Sequence, residues 1–149
     1  MEYKNILCPV DGSEILREKC IESASYLSKI SGAKLILLNV VEKWYRQADG
    51  IATDSKEWQA IHKQWLDEGK SLLQKEEAKI KANGLKNIEL ILREGDASHE
   101  IIATAFEYKI DLIVMATHHY STLGKIFIGS VTERVTKKSP CPVLWVFHK

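Results

Sequence analysis

A chain of 149 residues, 45% hydrophobic and 28% charged, is long enough for one soluble globular domain with a single substantial core. Its formal net charge of +1 creates no long-range field to draw in nucleic acid or an anionic membrane. Apolar runs such as Leu35 to Leu38 and Leu112 to Ala116 are too short to cross a bilayer.

In chain order, Asn5 to Val10 predicts a first strand, broken by Asp11-Gly12-Ser13. Ser13 is placed to cap a helix whose apolar positions are Leu16, Cys20, Ala24 and Leu27, and Gly32 closes it. Lys34 to Val41 predicts a second, almost wholly apolar strand. Trp44 to Asp54 is a polar and aromatic loop without a clear element. From about Ser55 to Ala82, Ile61, Trp65, Leu72 and Ile80 recur at helical spacing, and Asn83-Gly84 ends that long amphipathic helix. Its many Lys and Glu side chains form a solvated face. Ile88 to Leu92 is a short third strand. Asp96 is placed to cap a helix that turns Ile101, Ile102, Ala105 and Phe106 toward the core.

The chain is organised around the next stretch. Leu112 to Ala116 is an apolar run suited to a central strand of a parallel sheet, covered on both faces. It empties into the polar cluster Thr117, His118, His119, Tyr120, Ser121 and Thr122. A helix follows, opening at Ser130 after Gly129, with Ser130 and Glu133 in capping-box spacing. Such a helix start offers free amides and the positive end of a dipole, an anion site. Lys137-Lys138-Ser139-Pro140 ends the helix, and Pro142 to Phe147 is the last strand. The order βα βα βα βα β implies right-handed crossovers and an α/β fold with an open five-stranded parallel sheet, helices on both faces, in a single domain over residues 1–149. If strands one and four are neighbours, the ligand crevice lies at their carboxyl ends, between Pro9 to Ser13 and Met115 to His119, with Val40 at the side.

Several chemistries are excluded. Leu123-Gly124-Lys125-Ile126 lacks the first glycine and the hydroxyl of a phosphate-binding P-loop, and no G-x-G-x-x-G opens a helix. No nucleophile elbow and no spaced metal ligands occur, so neither catalytic nor metal residues are assigned. The three cysteines make no disulfide framework. Cys8 and Cys20 read as small buried hydrophobes, and Cys141, between two prolines, as the most reactive of the three. No signal peptide precedes the first strand, which points to the cytoplasm.

Ile6-Leu-Cys-Pro-Val-Asp-Gly-Ser-Glu14, Gly95-Asp96, Asp111-Leu-Ile-Val-Met-Ala-Thr-His118, Gly129-Ser-Val-Thr-Glu133 and Pro140-Cys-Pro-Val143 occur in that order. Together they resemble the landmarks of the universal stress protein family, over nearly the whole chain. The resemblance implies a fold related to the adenine nucleotide alpha hydrolases and a homodimer joined through the C-terminal strand. In one branch of that family it also implies a site for ATP, ADP or AMP with the pattern G-x2-G-x9-G-[ST]. Carried onto this chain, Asp11 holds the adenine or ribose side, Pro9, Val40 and Met115 surround the base, and Gly129, Ser130 and the Val131 amide hold phosphates. Ala116 and His119 stand where the motif has its first two glycines, and nine residues still separate His119 from Gly129. The His119 ring either blocks the phosphates or replaces a missing cation, which predicts binding that strengthens from pH 8 toward pH 6 and favours AMP over ATP. Two functions follow: a regulatory nucleotide-binding domain with little or no turnover, or a dimeric interaction module without nucleotide.

Overall fold

The computed structural model describes residues 2–11, 13–42, 55–118, 120–122, 125–127 and 129–148, the side chains at 118, 120–122, 125–127 and 148 excepted. In chain order the elements are β1 (Asn5–Pro9), α1 (Glu14–Ser31), β2 (Lys34–Val41), α2 (Lys56–Ala82), β3 (Ile88–Glu94), α3 (Ala97–Glu107), β4 (Leu112–His118), β5 (Tyr120–Thr122), β6 (Lys125–Phe127), α4 (Ser130–Lys138) and β7 (Val143–His148). Five strands form one parallel sheet in the order β3-β2-β1-β4-β7, so the first and fourth sequence-predicted strands are indeed neighbours. The antiparallel β5–β6 pair is an addition that sequence periodicity does not reveal, because its three-residue strands are shorter than any window in which alternation shows. The loop predicted from Trp44 to Asp54 lies outside the described residues.

Strand alternation sorts the core onto two faces. Ile6, Cys8, Leu35, Leu37, Leu112 and Val114 face Cys20, Ile21 and Ala24 of α1 and Leu73 and Ile80 of α2. Leu7, Ile36, Leu38, Ile113 and Met115 face Ile101 and Ala105 of α3 and Val135 of α4. The strands are apolar at nearly every position because both faces are covered. No helix among the described residues is long and apolar enough to cross a membrane.

The helix ends follow local chemistry. Ser55 accepts from the Trp58 amide at 3.1 Å and Asp96 from the His99 amide at 2.9 Å, each satisfying one of the free amides of a first turn. Gly32 ends α1 at φ 75°, a left-handed dihedral that glycine adopts without cost. Gly69 lets α2 lie close on the sheet: a Cβ there would meet Leu92 Cδ1 at 2.7 Å and Asn39 Oδ1 at 2.9 Å.

Two core assignments need correction. Phe106 is 63% exposed instead of turning inward, because α3 buries the stripe of Ser98, Ile101, Thr104 and Ala105 and Phe106 falls beside it. On α2 the buried stripe is Trp58, Gly69, Leu73, Glu76 and Ile80, while Ile61, Trp65 and Leu72 are half-buried.

Candidate ligand site

The crevice is opened by a parting of two strands. β1 and β4 are in register only at Ile6–Leu112 and Leu7–Ile113, whereas β1 follows β2 over its whole length. Pro9 gives a reason. The Val10 amide donates to the Leu38 carbonyl on β2 at 2.8 Å, so by strand alternation the Pro9 nitrogen faces β4, where proline has no hydrogen to donate. Beyond this point the chain from β1 turns to one face through α1 and the chain from β4 to the other through α4, the topological switch point of an open α/β sheet. A cleft of about 540 Å³ lies there.

Pro9, Asp11, Val40, Met115, Ala116, Gly129, Ser130 and Val131, all nominated from the sequence, line this one cleft. His119, the remaining candidate, lies outside the described residues, as does Gly12. Thr117, on the predicted β4 lip, lines it as well; sequence reasoning missed Arg17, Cys20, Leu38, Ile101 and Thr132, which also line it.

On the β1 side, Asp11 is exposed and its Oδ1 accepts from the Ser13 amide at 3.0 Å, a turn that aspartate makes with its own backbone. Its carbonyl accepts from Arg17 Nη1 at 2.8 Å, and the Val10 carbonyl accepts from Asn39 Nδ2 at 2.9 Å. Arg17 is 6% exposed and its Nε donates to Glu76 Oε1 of α2 at 3.1 Å; Glu76 is 2% exposed. The loop carrying Asp11 is therefore held by a buried guanidinium whose charge α2 neutralises. A signal for this existed in the sequence. Arg17 falls on the stripe of Cys20, Ala24 and Ser28, and Glu76 on that of Leu73 and Ile80, so each charge interrupts a face that must be buried.

On the β4 side, the expected capping box is absent. Gly129 is the N-cap, Ser130 is the first residue inside α4, and among the described residues no side chain caps the helix. The Glu133 amide bonds to the Gly129 carbonyl at 3.0 Å, and the Glu133 carboxylate pairs with Lys137 at 2.9 Å. Ser130 sits one residue too far into the helix for its hydroxyl to reach back to the first-turn amides. The first-turn amides are thus left without a side-chain cap at the positive end of the helix dipole. Gly129 has an ordinary φ of −59°, and a Cβ built on it would meet nothing within 4 Å. Its glycine answers no backbone demand and leaves room above the helix start. Thr117 stands at the carboxyl end of β4, 3% exposed, and among the described residues its hydroxyl has no hydrogen-bond partner. A buried hydroxyl without a partner costs about 1–3 kcal/mol, and this one lines the cleft.

The arrangement suits recognition of a ligand with an apolar body and an anionic end. Leu38, Val40, Ile101 and Met115 supply the apolar wall, and the uncapped start of α4 lies at the rim. Among the described residues no group of three or more His, Cys, Asp or Glu side chains is placed to hold a metal ion.

Comparisons with known proteins agree with this geometry. The model of the universal stress protein family matches residues 2–146. Universal stress protein Sll1654 of Synechocystis is 36% identical over 144 residues, covering 97% of this chain and 85% of its own. Universal stress protein MJ0531 of Methanocaldococcus jannaschii is 34% identical over 144 residues, covering 97% and 82%. The solved structure of the protein MJ0577, from the same archaeon, aligns with a TM-score of 0.81 at 28% identity over 100% of this chain and 99% of its own. Two more distant folds were solved with nucleotides. A universal stress protein in complex with cAMP aligns at TM-score 0.71 and 24% identity, covering 98% of both chains. One from Archaeoglobus fulgidus in complex with dAMP aligns at 0.66 and 20%, covering 97% and 98%.

Proposed function

The chain belongs to the universal stress protein family, and from that premise we propose that its cleft binds an adenine nucleotide, as a cytoplasmic regulatory domain with little or no turnover. The observation that carries this reading is the buried, unpartnered Thr117 hydroxyl lining a cleft whose rim is an uncapped helix start. Both features leave polar groups that a ligand with hydroxyls and phosphates satisfies. The cAMP and dAMP complexes of two structural neighbours support the same ligand class. In this proposal the base lies against Pro9, Val40 and Met115, Asp11 accepts from the base or ribose, and Gly129, Ser130 and the Val131 amide meet the phosphate. Ala116 and His119 replace two glycines of the family's motif, so the site takes AMP in preference to ATP, more tightly at pH 6 than at pH 8 as an imidazole charges beside the phosphate.

Calorimetry with AMP and ATP tests this at both pH values. Thr117→Val keeps the shape and removes the unpartnered hydroxyl, so the melting temperature should hold or rise while AMP affinity falls by about 0.5–1.5 kcal/mol. Failure of the parent to bind AMP, ADP or ATP at either pH would end the nucleotide reading.

A second reading, a dimeric interaction module, rests on the sheet edge. Among the described residues β7 pairs only with β4, and Leu144 and Phe147 on it are 41% and 37% exposed. An apolar edge strand without charge invites a second copy of itself, and the homodimer is proposed to form there with or without nucleotide. Leu144→Lys places a charge on this exposed edge strand and should convert a sedimenting dimer to monomer. A monomeric parent at micromolar concentration would dismiss the dimer.

A further inference from the structure

Beneath the β1 lip of the cleft lie two thiols that the nucleotide reading does not use. Cys8 on β1 and Cys20 on α1 are 0% and 1% exposed, with their sulfurs 3.2 Å apart. Cys20 Sγ also donates to the Val114 carbonyl at 3.2 Å, so the Cys8 thiol is left to donate to the Cys20 sulfur. Cys20 lines the cleft; Cys8 lies behind it, in the core of the α1 and α2 face. Closing the pair brings the sulfurs about 1 Å nearer, from 3.2 Å to the roughly 2.05 Å of a sulfur–sulfur bond.

We propose that Cys8 and Cys20 are a peroxide-oxidised pair that closes to an intramolecular disulfide beneath the cleft. The cleft brings the oxidant to one sulfur only. The hydrogen bond that Cys8 donates to Cys20, then burial, hold the Cys8 thiol well above its ordinary range, so Cys8 keeps its proton and Cys20 is oxidised first. Cys20 Sγ attacks one oxygen of hydrogen peroxide: the O–O bond breaks, a sulfur–oxygen bond forms, and the departing hydroxide takes the thiol proton to leave as water. Cys8 Sγ then attacks Cys20 Sγ. The sulfur–sulfur bond forms, the sulfur–oxygen bond breaks, and hydroxide leaves as water with the Cys8 proton. Two electrons pass from the thiol pair to the peroxide, giving two waters; a dithiol reductant reverses the change.

The consequence falls on the ligand loop. Cys8 precedes Pro9 and Asp11 on the β1 lip, and Cys20 lies one turn beyond Arg17, which holds the Asp11 carbonyl. Disulfide closure draws α1 onto β1 and removes the donor from the Val114 carbonyl. The proposal rests on the cleft being the peroxide's route, and through that on the nucleotide reading only where protection by ligand is concerned.

The test is intact mass and non-reducing peptide mapping of the folded protein after hydrogen peroxide and alkylation. A mass lower by two hydrogens, a Cys8–Cys20 cross-linked peptide and its loss on dithiothreitol treatment are expected, in the parent and equally in Cys141→Ser. Cys20→Ala should abolish the cross-link, and the peptide map of the parent decides the matter even if that variant does not fold. Two alkylated cysteines at these positions after peroxide, or added oxygen without a cross-link, would overturn the proposal. Excess AMP should slow closure roughly tenfold or more by occupying the cleft. A cross-link forming equally fast with AMP present upholds the thiol pair and counts against the nucleotide site. No cross-link in a protein that binds AMP overturns the pair and leaves the nucleotide site standing.

Discussion

The two faces of the sheet are packed to similar depth with different materials. Beneath α1 and α2 the core includes the Arg17–Glu76 ion pair and the Cys8–Cys20 thiol pair, both close to the β1 lip of the cleft. Beneath α3 and α4 the core is aliphatic, and a buried hydroxyl such as Thr104 bonds back to its own helix, to the Glu100 carbonyl at 2.6 Å. Thr117 is the exception on that face, and it stands at the cleft. The difference teaches that charge and reactivity in this core gather where the strands part. A buried ion pair is no efficient source of stability, since removing charges from water costs about what their attraction returns. Its retention beside Asp11 is better explained by the loop that it holds than by the fold.

The largest effect should come from breaking that pair. Glu76→Leu alone leaves the buried Arg17 charge without its ion-pair partner and should cost about 3–5 kcal/mol in urea unfolding, while Arg17→Met, which leaves Glu76 its contact with Lys79 at 3.6 Å, should cost less. Changing both together removes the charges and should bring stability back to the parental value or above it. The double variant should nevertheless bind AMP more weakly, because the Asp11 carbonyl has lost its donor. Restored stability with unchanged affinity would show that the pair serves the fold alone.

On the aliphatic face, Ile101→Ala should cost about 2–5 kcal/mol through the cavity it leaves. It sharpens the contrast: no second substitution on that face should restore stability as the second charge removal does on the other. Asp11→Ala comes next, weakening AMP binding by about 1–3 kcal/mol while the melting temperature stays near the parental one. An unchanged calorimetric affinity would remove Asp11 from the site.

The smallest effect concerns the cap of α3. The Ser98 hydroxyl, then the His99 amide, hold the Asp96 carboxyl below its ordinary range. A carboxyl lowered in the folded state contributes stability that is full above its unfolded value, near 3.9, and is lost as pH falls through the lowered one. Asp96→Ala should cost about 1 kcal/mol at neutral pH. Asp96→Asn keeps a capping oxygen that does not titrate, so its melting temperature should fall less steeply than the parent's in acid. Parallel acid profiles would show that the carboxyl charge contributes nothing to the cap.

The sequence by itself determined the α/β class, because continuous apolar runs alternating with helical stripes leave a parallel sheet covered on both faces as the consistent packing. It also determined most of the cleft: Pro9, Asp11, Met115 and Ala116 lie at or near the carboxyl ends of β1 and β4, Gly129 and Ser130 open the helix beyond, and strand ends of this topology converge on one crevice. What it could not supply was anything depending on a partner far along the chain. Arg17 and Glu76 are 59 residues apart, and only the crossing of α1 and α2 makes two misplaced charges into a pair. Ser130 and Glu133 matched a capping box letter for letter, yet the helix begins one residue earlier than that box requires, and a single position decides which hydroxyl reaches which amide. Cys8 and Cys20 looked like two separate small hydrophobes, and they became neighbours only when α1 folded back across β1. Periodicity records which side of an element is buried; tertiary structure alone decides what that side meets, because the contact distance of a hydrogen bond or a thiol pair is set by how two elements cross.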